Sequence, residues 1–189
     1  MSHGAAFEAA GEPSAWVRRH ATLLRPHARV LDLAAGRGRH ARFLAGLGHV
    51  VVAVDRDGAA LAALAGVPRV LAREVDCEAG SWPLAGERFD AIVVANYLHR
   101  PSFDAMLASL SDDGVLLYET FAAGNEAYGR PSNPAFLLAE GELLERVRGR
   151  LAVVSYEAGR IDRAGGAAVV QRIAAVGPRH VRPWALARG

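Results

Sequence analysis

Apolar and polar positions are most ordered between Val30 and Asp55. An apolar run, Val30 to Ala34, carries one carboxylate, Asp32, and passes directly into Ala35-Gly36-Arg37-Gly38-Arg39-His40. Ala41, Phe43, Leu44 and Leu47 then recur at helical spacing, and a second apolar run, Val50 to Val54, closes on Asp55. This pattern predicts strand, tight loop, helix, strand. The alternation continues downstream. Asp57 is placed to cap a helix containing Leu61 and Leu64, stopped by Gly66-Val67-Pro68. Val70, Leu71 and Val75 form a short third strand; residues 79–88 are a loop; Phe89 to Ala95 is apolar enough for a parallel strand covered on both faces. Pro101 and Ser102 open a helix that buries Phe103, Met106, Leu107 and Leu110, and Asp112-Asp113-Gly114 turns into a fifth strand, Val115 to Thr120. Leu143, Leu144 and Val147 mark another helix, and Leu151 to Glu157 and Ala167 to Val176 two last strands with residues 158–166 as their hairpin loop. Upstream, Pro13 starts a helix with Trp16, Val17, His20, Leu23 and Leu24 on one side, packed over the sheet or gating its cleft. Residues 1–12 read as a flexible segment and 13–189 as one domain, with Trp184 pinning the tail.

Composition narrows the class. A chain of 189 residues, 51% hydrophobic and 22% charged, is long enough for a core without disulfides or metals. One cysteine excludes an internal disulfide framework. With no apolar run of about 18 residues and no signal-peptide series, no membrane span is expected and the expected location is the cytoplasm. The net charge is +2, and every basic side chain but histidine is arginine. The arginines are scattered among acids and apolar residues, whereas nucleic-acid binding requires a basic stripe with stacking aromatics.

The loop after the first strand carries the chemistry. Gly36 and Gly38 let a ligand approach the main chain, and free amides at the helix start can face a polar group. Asp55 ends the second strand, where a carboxylate can accept hydrogen bonds from a ribose diol. Gly36-x-Gly38-x-x-Ala41 fits the loose dinucleotide pattern, with an acid about 20 residues on. Asp32 argues for a different ligand. A carboxylate beside the loop would repel a pyrophosphate, yet it can order the loop amides and receive a cationic amino acid moiety. S-adenosylmethionine has a ribose, a sulfonium and an ammonium and no phosphate, so the sign of the charge favours it over NAD.

Asp32, Gly36 and Gly38 resemble the acidic residue and glycine-rich turn of the first motif of class I S-adenosylmethionine-dependent methyltransferases. Ala34 stands where that family often has glycine, which asks for ordinary dihedrals there. The resemblance continues through Asp76-Cys77, Phe89-Asp90 and Asn96-Tyr97-Leu98-His99-Arg100, and in organisation it is to small bacterial TehB-like methyltransferases. It implies a Rossmann-like α/β domain with a mostly parallel seven-stranded sheet, an antiparallel final strand and strand order 3-2-1-4-5-7-6. The donor would be S-adenosylmethionine and the product S-adenosylhomocysteine. The expected donor-binding residues are Asp32, Ala34, Gly36, Gly38, His40, Asp55, Arg56, Asp76, Cys77 and Asn96. Among them, Asp55 is assigned to the ribose, Asp76 to the adenine amino group and Cys77 to a backbone contact with a ring nitrogen. No metal is expected.

The acceptor side is read from the next two strand ends and from residues 122–137. That 16-residue stretch holds Gly-Asn-Glu, Gly-Arg-Pro and Asn-Pro steps that the TehB-like proteins share. A segment of this length in a compact domain suits a wall or lid, or else a rigid turn assembly. The resemblance puts Tyr97, His99 and Arg100 near the acceptor, and Tyr97, His99, Tyr118 and Arg130 are expected to border the acceptor cavity and contribute to catalysis. The expected acceptor is a small molecule whose nucleophile the sequence does not identify. The oligomeric state is not legible. Two other functions fit parts of the pattern: a non-catalytic S-adenosylmethionine-binding regulator, and an NAD-dependent oxidoreductase, whose Ser-Tyr-Lys mechanism the absence of lysine excludes.

Overall fold

The computed structural model describes residues 11–163, 166–181 and 184. Among these, seven strands form one sheet of order β3-β2-β1-β4-β5-β7-β6, as the family resemblance implied. The strands are β1 (Arg29–Leu33), β2 (Val50–Asp55), β3 (Val70–Glu74), β4 (Phe89–Ala95), β5 (Leu110–Phe121), β6 (Ala152–Arg163) and β7 (Gly166–Val176). β1 to β5 pair in parallel, and β7 lies antiparallel between β5 and β6.

Alternating side chains feed two core layers. Val30, Val51, Ala53, Ala91, Val93, Leu117 and Ala174 point to one face, covered by helices α1 (Ala15–His20) and α2 (Arg39–Gly46) and by Leu61 and Leu64. Leu61 ends the short helix α3 (Gly58–Leu61), capped by Asp57 through its bond from the Ala60 amide. Leu31, Val52, Ile92, Val94, Leu116, Tyr118 and Ile173 point to the other face, under helices α4 (Phe103–Ala108) and α5 (Glu142–Val147). Helix α1 follows its expected pattern, with Trp16, Val17 and His20 buried. Its cap is Ser14, whose hydroxyl accepts from the amides of Trp16 and Val17.

Three boundaries differ from the sequence reading. Leu110, expected on a helix, opens β5 opposite Phe89, and the register then jumps to Ala91 opposite Val115. Asp112 to Gly114 therefore form a bulge within the strand rather than a turn before it. The stretch 158–163, expected as hairpin loop, continues β6 and pairs with β7 down to Arg163 opposite Gly166. A small third cluster, Phe121, Leu137, Ala168, Val170 and the half-buried Ile161, supplies the packing that makes this extension worthwhile. At the tail, His180 contacts the Leu23 carbonyl at 3.1 Å and Trp184 packs against the α1 side of the core. Residues 1–10 of the segment expected to be flexible lie outside the described residues. Among the described residues no helix is long and apolar enough to cross a membrane.

Candidate donor site at the sheet switch point

β1 pairs with β2 on one side and β4 on the other, so the connections leave in opposite directions and open a crevice above the strand ends. Ala34 follows β1 and Asn96 follows β4, and both hold a left-handed backbone, with φ of 56° and 58°. Asparagine tolerates that region; alanine is strained there. The expectation of ordinary dihedrals at Ala34 was therefore wrong: the chain must reverse sharply from β1 into the loop, and it does so with or without glycine. Asn96 is fixed by its backbone N–H, which donates a hydrogen bond to the Glu119 carbonyl at 2.9 Å.

Two cavities share Ala34 and Asn96 as a common wall. The first, of about 260 Å³, brings together Asp55, Arg56, Asp76, Cys77 and Tyr97 over an apolar floor of Leu33, Val54 and Val75. Asp55 accepts the Gly36 amide at 2.7 Å on one oxygen and the Asp57 amide at 2.9 Å on the other, which ties the glycine loop to the end of β2. Asp76 accepts the Glu78 amide at 2.8 Å, so it closes an Asx turn while also lining the cavity. Arg56 and Glu78, which both line this cavity, approach to 3.6 Å. Burial, with the charges of Asp76, Asp55 and Glu78 added, pushes the Cys77 thiol up to about 11, so it stays protonated and is no nucleophile. The second cavity, of about 270 Å³, is lined by the loop itself, with Arg37, Arg39 and His40 around Gly36.

Asp32 and Gly38 act from beneath. Asp32 is 1% exposed and accepts the Ala41 amide at 2.9 Å, which anchors the start of α2; burial raises its carboxyl to about 7. Gly38, with φ 77°, faces Leu64 so closely that a Cβ would stand 2.3 Å from its side chain. Its glycine is required by the turn and by that packing. His40 is 3% exposed, and burial followed by the charge of Arg39 lowers it to about 3, so the ring is neutral.

The expected acceptor set is not assembled. Tyr97 lines the first cavity, and burial, then the Glu78 charge, raises its phenol, so it remains a neutral hydroxyl. Tyr118 is 1% exposed, and its hydroxyl donates to the Tyr97 carbonyl at 2.8 Å. It sits in the core against Phe103 because strand alternation turns residue 118 to the helix-covered face. Tyr118 is thereby a buried strut and not a cavity wall. His99 bonds Ser102 at 2.9 Å and lines neither cavity. Arg130 is exposed and makes no hydrogen bond or ion pair to another described residue.

The 122–137 segment is anchored by residues the sequence reading placed elsewhere or did not use. Arg100, expected near the acceptor, forms a two-pronged pair with Glu142 at 2.8 Å and donates to the carbonyls of Ala135 and Leu137. Asn125, 2% exposed, donates to the Pro131 carbonyl and accepts the Val169 amide. Glu78, Arg37 and Arg39 were also passed over. Their signal was position alone: directly past the third strand end, and inside the glycine loop.

A protein-family comparison agrees with this geometry: a family described as "Methyltransferase domain" matches residues 30–112, from β1 into the bulge of β5. No curated protein matches the chain. The match spans less than half of the chain, and together with the switch-point fold it makes the chain similar to class I S-adenosylmethionine-dependent methyltransferases. Within that class it resembles TehB from Haemophilus influenzae, at 21% identity and a TM-score of 0.69 over 93% of this chain and 62% of that one, so it spans less than two thirds of TehB. A TehB-like methyltransferase from Corynebacterium glutamicum aligns at 19% identity and TM-score 0.63, over 90% of this chain and 91% of that one. The 1,6-didemethyltoxoflavin-N1-methyltransferase of Burkholderia thailandensis, solved with its acceptor and S-adenosylhomocysteine, aligns at 27% identity and TM-score 0.61, over 93% and 79%.

Proposed function

We propose that this protein transfers a methyl group from S-adenosylmethionine to a small-molecule nucleophile. The observation that carries the reading is the paired cavity at the switch point, whose two halves meet at Ala34 and Asn96 beneath the glycine loop. Its residues fit the donor. Asp55 presents a half-buried carboxylate for a ribose diol; Asp76 offers an acceptor to an exocyclic amine; Asp32 supplies negative charge beside the loop. The first cavity carries three carboxylates, Asp55, Asp76 and Glu78, against one arginine, a balance that disfavours a pyrophosphate.

S-adenosylmethionine supplies an electrophilic methyl carbon on a sulfonium. The acceptor's lone pair forms the new bond as the carbon–sulfur bond breaks and its electron pair stays on sulfur. The protein's part is to orient the two reactants and keep water out. Because positive charge on sulfur disappears during transfer, holding Asp32 away from that centre avoids stabilising the ground state. Neither Cys77 nor Tyr97 is ionised at neutral pH, so neither of them serves as a base. A small acceptor is supported by the 1,6-didemethyltoxoflavin bound in the Burkholderia structure and by the glycopeptide N-methyltransferase MtfA, which aligns at 22% identity. Arg130, exposed on the 122–137 segment, is the remaining acceptor-side candidate.

Calorimetric titration with S-adenosylmethionine, S-adenosylhomocysteine and NAD tests the reading. The expected result is saturable binding of the first two and none of the third. Binding of NAD alone would overturn it.

A further inference from the structure

His40 lines the second cavity, and its buried ring has the Ser14 amide near one nitrogen and Asp32 near the other. The Ser14 amide donates to Nε2 at 3.2 Å. A backbone amide can only donate, so Nε2 holds a lone pair and the neutral ring carries its proton on Nδ1. Nδ1 lies 4.0 Å from Asp32 Oδ1, and the other Asp32 oxygen takes the Ala41 amide. At that separation the Nδ1 proton and the carboxylate attract each other electrostatically across a gap too long for a hydrogen bond.

We infer that His40 is a positioning residue for Asp32, locked in the Nδ1–H tautomer by Ser14 and thereby coupling the start of α1 to the donor loop. This rests on the proposed reading of the cavity as a donor site. Its chemical sense lies in neutrality. An arginine at this place would pair with Asp32 and compete with the donor's ammonium, whereas a neutral N–H orients the carboxylate and leaves its charge available. Ser14 is itself held, since its hydroxyl caps α1, so the bridge joins two elements 26 residues apart through one ring.

Three variants of the full chain divide the bridge. Nitrogen-15 chemical shifts of the ligand-free protein should report the Nδ1–H form of His40. His40→Ala should weaken S-adenosylhomocysteine about tenfold by calorimetry and speed exchange of the Ser14 amide. His40→Asn, whose amide N–H reaches toward the place of Nδ1, should recover most of the affinity while Ser14 still exchanges fast. His40→Gln should protect Ser14 and bind as poorly as the alanine variant. An Nε2–H tautomer, unchanged affinity in His40→Ala, or equal rescue by asparagine and glutamine each overturns the inference. If His40→Ala does not fold, the wild-type tautomer and the asparagine–glutamine contrast still decide it. Failure of the wild type to bind S-adenosylhomocysteine would instead reject the donor-site reading, with the tautomer and Ser14 exchange left as separate measurements of the bridge.

Discussion

Ala34 pays a conformational penalty that glycine would not, because its φ of 56° brings its Cβ against the following carbonyl. Ala34→Gly should raise stability by about 1 kcal/mol, the strain relief less the added entropy of the unfolded chain, read as a higher melting temperature of the ligand-free protein. A lower melting temperature would show that the Cβ packs usefully. Asp55→Ala should weaken the donor by about 1.5 to 3 kcal/mol, the range for a charged hydrogen bond, while ligand-free stability falls by only about 1 kcal/mol through the lost Gly36 bond. Unchanged donor affinity would remove Asp55 from the ribose. Asp32 gives a pH dependence. Its carboxyl, raised by burial to about 7, keeps a proton that the unfolded chain has already lost above its ordinary value of about 4. Between those limits the folded state binds more protons, so this group's contribution to ligand-free stability falls as pH rises. An ammonium selects the ionised form, so S-adenosylhomocysteine affinity should climb with pH up to about 7 and level off, and Asp32→Asn should flatten the profile. A flat wild-type profile would count against the pairing. Residue types and spacing were enough to single out Asp32 and Asp55, because strand, loop and strand follow directly from local pattern. The strain at Ala34 was not legible, since alanine has no sequence signature for a left-handed backbone.

At the scale of elements, the 122–137 segment is built rather than draped. The Arg100 fork holds it at Ala135 and Leu137 while pairing with Glu142 at the start of α5, and the Ala122 and Ala123 amides bond Val169 and Leu138. Burial alone would raise the Glu142 carboxyl, and the contacts from Arg100, the Ala139 amide and Arg146 together more than offset it, so its contribution is present at neutral pH and lost as acid protonates it. Arg100→Gln should cost about 2 kcal/mol and speed limited proteolysis within residues 126–136, most of which are exposed. An unchanged cleavage rate would mean that Asn125 and the strand-like contacts suffice. The sequence marked this stretch by its length and its Gly, Asn and Pro steps. It placed Arg100 beside the acceptor because a residue just past β4 can turn either toward the crevice or toward the neighbouring helix, and nothing local decides between them.

The whole molecule offers a direct measure of whether its crevice is a donor site. A ligand bound only by the folded state at 100 times its dissociation constant adds about 2.7 kcal/mol. S-adenosylhomocysteine at that excess should raise the melting temperature by several degrees, and NAD at the same concentration should leave it unchanged. Equal shifts would point to a general nucleoside pocket. The alternation of apolar strands and amphipathic helices, the glycine loop, and the acids ending β1 and β2 were determined by the sequence itself, because each depends on neighbours within a few residues and on periods of 2 and 3.6. What only the tertiary structure decided is which distant side chains meet. Tyr118 went to the core because helices α4 and α5 cover its face; Tyr97 joined the first cavity because β1 lies beside β4; residues 158–163 became strand because β7 and the Phe121 cluster offered them partners. These outcomes depend on contacts between residues far apart in the chain, whose free energy exists only once the sheet has closed and both of its faces are covered.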